Sequence, residues 1–258
     1  MNPARRARYE VARIAVRRAG QLAQRYYHAT ALSVEQKIDQ TPVTVADRET
    51  EALLRHVLAE AFPDDGFLGE EYGNQSGSSG YRWIVDPIDG TQSFIRHIPL
   101  WATLLGLEYQ GELIAGVVYA PEMDRLYHAL RGEGAYVNDR PLRVSQVSCL
   151  DQALLCYSSL RWFLDAGKED VFLELVRRTG RQRGYGDFYG FALVAEGAAD
   201  IMIDHGLSPW DVAALVPIIT EAGGSITDWH GQNPLSSGAV VATNGGLHAE
   251  VLGILQRT

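Results

Sequence analysis

The sequence predicts an α/β protein, and three stretches carry that prediction. Residues 5–28 place Val11, Ile14, Ala15, Leu22 and Tyr26 at helical spacing, with most of the arginines elsewhere. Residues 101–118 form two β-prone runs around Gln110-Gly111, the pattern of a hairpin. Beyond Ser148, short apolar runs alternate with helical ones, as expected where strands and helices pack in layers.

A basic helix of this kind could lie on a membrane or touch RNA, but a solvated outer face is the commoner arrangement and the expectation here. Ser33 to Ala46 is polar and interrupted by Pro42, so a loop or loose hairpin is expected there. A helix follows from about Val45 to Ala61, burying Leu53, Leu54, Val57 and Leu58. Thr44 with Asp47 fits a capping box at its start. Phe67-Leu68-Gly69 is an apolar run ending on Glu70-Glu71, and Gly73 to Gly80 reads as a surface loop. Trp83-Ile84-Val85 is a short buried strand with Asp86 at its end, and Pro87 should stop it. Asp89-Gly90 is a tight turn, and Gly90 and Thr91 open a helical turn with free N–H groups. Leu126 to Ala129 and Ala135 to Val137 extend a mostly antiparallel sheet.

In the second half, strands are expected at Ala153 to Cys156, Ile201 to Ile203 and Val240 to Ala242. Helices are expected at Lys168 to Thr179, Tyr189 to Gly197 and Val212 to Ala222, the last capped by Gly223-Gly224, and a helix ends the chain.

The chain has 258 residues, 46% of them hydrophobic, enough for one large core. A single domain over 1–258 is expected, with an α+β half to about residue 147 and an α/β half from 148. A formal charge of −9 argues against nucleic-acid binding. Cys149 and Cys156 stand alone, without disulfide or metal spacing, which fits a reducing compartment. Neither a membrane-length apolar run nor a signal-peptide core is present, so cytoplasm is the expectation.

The chemistry converges on Trp83 to Phe94, WIVDPIDGTQSF. Two carboxylates three residues apart on a sharp turn can meet at one hard cation such as Mg²⁺. The N–H groups of Gly90 and Thr91 could hold a phosphate beside it. Taken alone, the same motif is equally an Asp-rich surface turn. Other chemistries lack their signatures. The seven histidines show no HExxH or HxH spacing, and no GxxxxGK[ST], GxGxxG after a strand, CxxxxxR or DxDx[TV] motif occurs.

Gly69-Glu70-Glu71, then DPIDGT, then Pro209-Trp210-Asp211 followed by Glu221-Ala222-Gly223-Gly224 resemble the inositol-monophosphatase-like family of Mg²⁺-dependent phosphomonoesterases, in the family's order and spacing. Glu133-Gly134-Ala135 through Leu142 resembles a scaffold strand and turn of the same family. The resemblance spans roughly residues 5 to 250 and implies a layered α-β-α-β-α sandwich, usually a homodimer. It implies that Glu70, Asp86, the carbonyl of Ile88, Asp89 and Asp211 hold two or three Mg²⁺. Asp211 alone would otherwise be an acid favoured at a helix N-terminus. Asp47 and Thr91 would orient the attacking water, a role that coexists with capping, and Lys37 would sit in a mobile active-site loop.

For the substrate, Gly186-Asp187-Phe188-Tyr189, Ala195-Glu196-Gly197 with Asp200, Gln92-Ser93-Phe94 and Ile226-Thr227-Asp228-Trp229 resemble the histidinol-phosphate phosphatase branch. Against that branch stand His97, where it typically has Gly, and Ala242-Thr243-Asn244, which is more similar to the inositol branch. Cys156-Tyr157-Ser158-Ser159 matches neither. Histidinol phosphate is the expected substrate, with inositol phosphate and adenosine bisphosphate as alternatives. A partner-binding protein on this fold is the non-enzymatic alternative, since a family relative associates with transcription machinery. Asp187 and Asp204 are the candidate substrate-binding acids, although Asp187 could instead cap a helix starting near Tyr189.

Overall fold

The computed structural model describes residues 2–29, 34–36 and 42–257, with the backbone alone at 34–36 and 42–44. Helix α1 (Pro3–Tyr27) is capped by Asn2, whose Oδ1 accepts from Ala4 N at 3.0 Å, and Pro3 opens it. Its buried stripe is Tyr9, Ala12, Val16, Ala19 and Ala23, whereas Ile14, predicted to face inward, is 59% exposed. The reason is close packing, because small residues on the inner stripe bring the helix down onto the sheet. Arg5 and Arg8 are half-buried rather than outer-face residues. Arg8 lies 3.8 Å over the Tyr81 ring and pairs with buried Asp65, and Arg5 covers Tyr109, whereas Arg17 is exposed over Tyr119 as expected.

Strands β1 (Val34–Gln36) and β2 (Pro42–Thr44) pair antiparallel, so the expected loose hairpin forms. Lys37 lies outside the described residues, as does the side chain of Thr44. Helix α2 (Val45–Ala61) has the predicted bounds, with Leu54 and Leu58 fully buried and Leu53 and Val57 packed beside them.

Strand β3 (Gly66–Gly69) is followed by β4 (Gly73–Gln75), which pairs with it, so part of the expected surface loop is strand. Strand β5 (Tyr81–Asp89) does not stop at Asp86 as predicted. Pro87, which has no N–H to donate, sits where the register with the neighbouring strand shifts, and pairing resumes at Asp89. The predicted helical turn is α3 (Thr91–Phe94).

Strands β6 (Ala102–Tyr109) and β7 (Glu112–Ala120) make the expected hairpin, and Gln110 and Gly111 both take positive φ, as a two-residue turn requires. With β8 (Arg125–Leu130), β9 (Ala135–Val137) and β10 (Arg140–Pro141), they complete an eight-stranded sheet among the described residues. Its order is β10-β9-β8-β7-β6-β5-β3-β4, antiparallel except where β3 lies beside β5.

The second half contains β11 (Leu154–Tyr157), α4 (Leu160–Asp165), α5 (Glu169–Arg178), β12 (Arg181–Arg183), α6 (Asp187–Ala195) and β13 (Ile201–His205). These are followed by α7 (Pro209–Ala213), α8 (Leu215–Glu221), β14 (Ser225–Asp228), β15 (Ala239–Thr243) and α9 (His248–Leu255). Its five strands run β12-β11-β13-β15-β14. The single helix predicted over Val212 to Ala222 is divided at Ala214, because Pro217 cannot donate to the carbonyl of Ala213 one turn back.

The layers are α, β, α, β, α. Helices α1 and α2 cover the outer face of the large sheet. Helices α6, α7 and α8 fill the space between the sheets, where Leu104 and Val118 from one meet Met202 and Val240 from the other. Helices α4, α5 and α9 cover the far face of the small sheet.

Candidate active site

The site forms at the irregular end of β5. Ile88 N donates to Asp86 Oδ1 at 3.0 Å, and Thr103 Oγ1 to Pro87 O at 2.9 Å, which ties the turn to the neighbouring strand. Gly90 then reverses the chain at φ 82, a left-handed conformation that favours glycine. Thr91 Oγ1 donates to Ile88 O at 3.0 Å, so two of the predicted site groups are joined directly. Ala46 packs with Ile88, Phe94 and Trp101, which sets the first turn of α2, and with it the buried Asp47, against the same turn.

Asp211 arrives from the middle layer. The Ala213–Ala214 junction presses onto Gly106 and Gly116, which are paired in register on β6 and β7, and a Cβ at either would collide with it. That close approach seats the start of α7 over the end of β5. Asp211 Oδ2 also accepts from Ser208 N at 2.8 Å, so its helix-start role and its place in the site hold together.

The carboxylates of Asp86, Asp89 and Asp211 offer oxygens within 4.8 Å of one another. Glu70, in the turn after β3, is outside that trio, yet its charge acts on both Asp86 and Asp211. Burial, followed by the charges of Glu70, Asp89 and Asp211, raises Asp86 well above the ordinary carboxylate range. Asp89 is raised in the same way by burial and then by Asp187 and Asp211, despite accepting from Phe188 N at 2.6 Å. Burial also pushes Asp211 up to about 7. Acids raised by burial and by neighbouring acids make an oxygen-only donor set whose charge a hard divalent cation would balance. The residues present therefore fit such an ion.

Residues 5–258 match the Inositol monophosphatase family. The chain belongs to that family. Within it, the histidinol-phosphatase of Mycobacterium tuberculosis is 44% identical over 240 residues, covering 91% of this chain and 92% of the relative. The inositol-1-monophosphatase of Mesorhizobium japonicum is 42% identical over 210 residues, 78% of each chain. Among solved structures, the extragenic suppressor protein suhB of Bartonella henselae superposes with a TM-score of 0.90 at 32% identity, covering 96% of this chain and 98% of that one. The family is one of phosphoric monoester hydrolases, and this chain is one of them.

The charges of both acids expected to distinguish substrates within the family act on Asp89 of the cluster. Asp187 is the first residue of α6 and does not cap a helix starting near Tyr189. Gly186 is the N-cap, no side chain caps it, and Asp187 itself has a left-handed φ of 52. Its Oδ2 lies 3.2 Å from where a Gly90 Cβ would be, which places the carboxylate at the DGT turn. A non-glycine residue held in that region at a site is stored strain. Burial raises Asp187 to about 6. Asp204, at the end of β13, accepts from His205 N at 2.8 Å and from the Ser158 hydroxyl, and burial raises it to about 7. Ser158 was legible only as a departure from family pattern. The other residue missed is Glu51, whose signal was a second acid, one turn after Asp47, in line with Leu54 and Leu58 on the buried side of α2.

Proposed function

We propose that this chain is a Mg²⁺-dependent histidinol-phosphate phosphatase. The observation that carries this reading is the Asp187 carboxylate, held in a strained left-handed backbone beside Gly90, next to the acidic cluster. A leaving group bearing an ammonium and an imidazole calls for acids beyond the metal ligands, and Asp187 and Asp204 supply them. The histidinol-phosphatase relatives support the same choice. His97, which replaces the branch's Gly, adopts φ 55, the conformation a glycine would favour there.

Glu70, Asp86, Ile88 O, Asp89 and Asp211 would hold two or three Mg²⁺. When bound, these ions polarise the phosphoryl group and the attacking water and neutralise the leaving oxygen. Gly90 and Thr91 offer N–H groups at the start of α3 to the phosphate. Asp47, with Thr91, orients the water for in-line attack. Asp204 and Asp187 bind the cationic leaving group and fix its direction. The same reading makes the protein a homodimer in a reducing, cytoplasmic setting, which its two free cysteines fit. No helix among the described residues is long and apolar enough to cross a membrane.

The test is turnover of histidinol phosphate, inositol 1-phosphate and adenosine 3′,5′-bisphosphate by the purified protein with Mg²⁺, in parent and Asp187→Ala. A charge-assisted contact is worth about 1.5–3 kcal/mol. Asp187→Ala should therefore lower kcat/KM for histidinol phosphate by roughly ten- to a hundred-fold and barely affect a neutral phosphomonoester. Equal losses on both, or a parent preference for inositol phosphate, would overturn the substrate and leave the family standing.

A further inference from the structure

Two acids share the buried stripe of α2 with Leu54 and Leu58: Asp47 and, one turn later, Glu51. Glu51 is outside the acidic cluster and is fully buried. Its Oε2 accepts from Glu71 N at 2.7 Å, and its Oε1 from Tyr72 N at 3.3 Å and from Arg55 Nε at 2.7 Å. Arg55 continues the ring by donating Nη2 to Gly73 O at 2.6 Å, with its guanidinium 5.2 Å from the centre of the Phe67 ring. Gly69 makes the room, since a Cβ there would collide with the Glu51 carboxylate. Residues 69–73 are thus wrapped around one buried charge. Glu70 stands in the middle of that turn, and its own N–H is held by Val85 O, next to Asp86, at 3.3 Å.

We propose that Glu51, braced by Arg55, is the positioning residue for Glu70. The proposal rests on the reading of Glu70 as a metal ligand. Without a cation, Glu70 faces the like charges of Asp86 and Asp211, and an unrestrained turn would swing away from them. Two backbone N–H groups tied to a carboxylate on α2 hold it in place. Because Asp47 lies one turn away on the same helix, the clamp also fixes the separation between the water-orienting acid and the ligand. Such preorganisation by groups behind the ligands sets metal affinity.

The experiment compares the full-length parent with Glu51→Gln, Arg55→Gln and Glu70→Gln. Mn²⁺ binding is followed by the EPR signal of the free ion, and Tm is measured with and without Mn²⁺. Glu51→Gln and Arg55→Gln should each weaken Mn²⁺ binding by roughly tenfold, the lower end for residues acting behind a ligand. They should also shrink the rise in Tm that Mn²⁺ produces, while KM for the phosphomonoester at saturating metal stays unchanged. A purely structural clamp would instead lower Tm equally with and without Mn²⁺ and leave the affinity intact, which would overturn the proposal. Arg55, reached from the edge of the fold, serves if Glu51→Gln does not fold. Weak binding by Glu70→Gln alone would refute the clamp and keep Glu70 as ligand. Normal binding by Glu70→Gln would remove the ligand reading and the clamp with it.

Discussion

Asp204→Asn separates the stability of this fold from its use of the site. Asp204 is 2% exposed, and burial raises it from 3.8 to about 7. A carboxyl whose folded pKa lies above its unfolded value contributes its stability below the unfolded pKa and loses it as pH rises through the folded one. At about 1.4 kcal/mol per pH unit, the metal-free protein should have lost about 1.5 kcal/mol at pH 5 and about 4 kcal/mol by pH 8. Asparagine cannot ionise, keeps an oxygen for His205 N and can still bond Ser158. The variant should therefore be more stable than the parent, by a margin that grows from pH 5 to pH 8, in urea denaturation with chelator present. With Mg²⁺, the same substitution should lower kcat/KM for histidinol phosphate roughly ten- to a hundred-fold. A trade of activity for stability is the usual mark of a site residue. Stability curves that run parallel with pH would show that the carboxyl carries no burial penalty. Equal activity loss on a neutral phosphomonoester would remove its recognition role.

Asp86→Asn and Asp211→Asn should each abolish Mg²⁺-dependent turnover while leaving the metal-free Tm equal or higher, since each relieves repulsion among buried acids. Near-normal turnover by a folded Asp86→Asn protein would dismiss the site. Asp47→Asn should reduce kcat by roughly a hundred-fold or more if it orients the water. A loss of about 1 kcal/mol in stability with kcat intact would reduce it to a helix-start acid.

Most of the order of elements was legible in the sequence because it depends on local periodicity, whereas the short elements β4, α4 and β12 were not. The bounds of α2, the hairpin turning at Gln110-Gly111 and the helical turn after Gly90 all follow from spacing and turn chemistry within a few residues. The acids of the candidate site were legible through motif resemblance, since spacing alone left the Asp86–Asp89 turn equally an ordinary surface feature. What tertiary structure decided depends on approach between distant segments. Ile14 is exposed and Ala12, Val16 and Ala19 are buried because the helix lies close to the sheet, which no ranking of side-chain hydrophobicity along the chain reveals. Strand β5 runs through Pro87 because a bulge against β6 absorbs the missing donor. For Asp187 the sequence left a substrate-binding acid and a helix cap both open. The fold removes the cap by setting its carboxylate, on a left-handed backbone, beside Gly90, about a hundred residues away in sequence, because α6 packs between the two sheets. Glu51, which the sequence did not single out, becomes a buried carboxylate holding two backbone N–H groups only because β3 and its turn fold over it. Periodicity and turn chemistry act over a few residues, whereas burial, strain and mutual repulsion among acids arise only when the layers close.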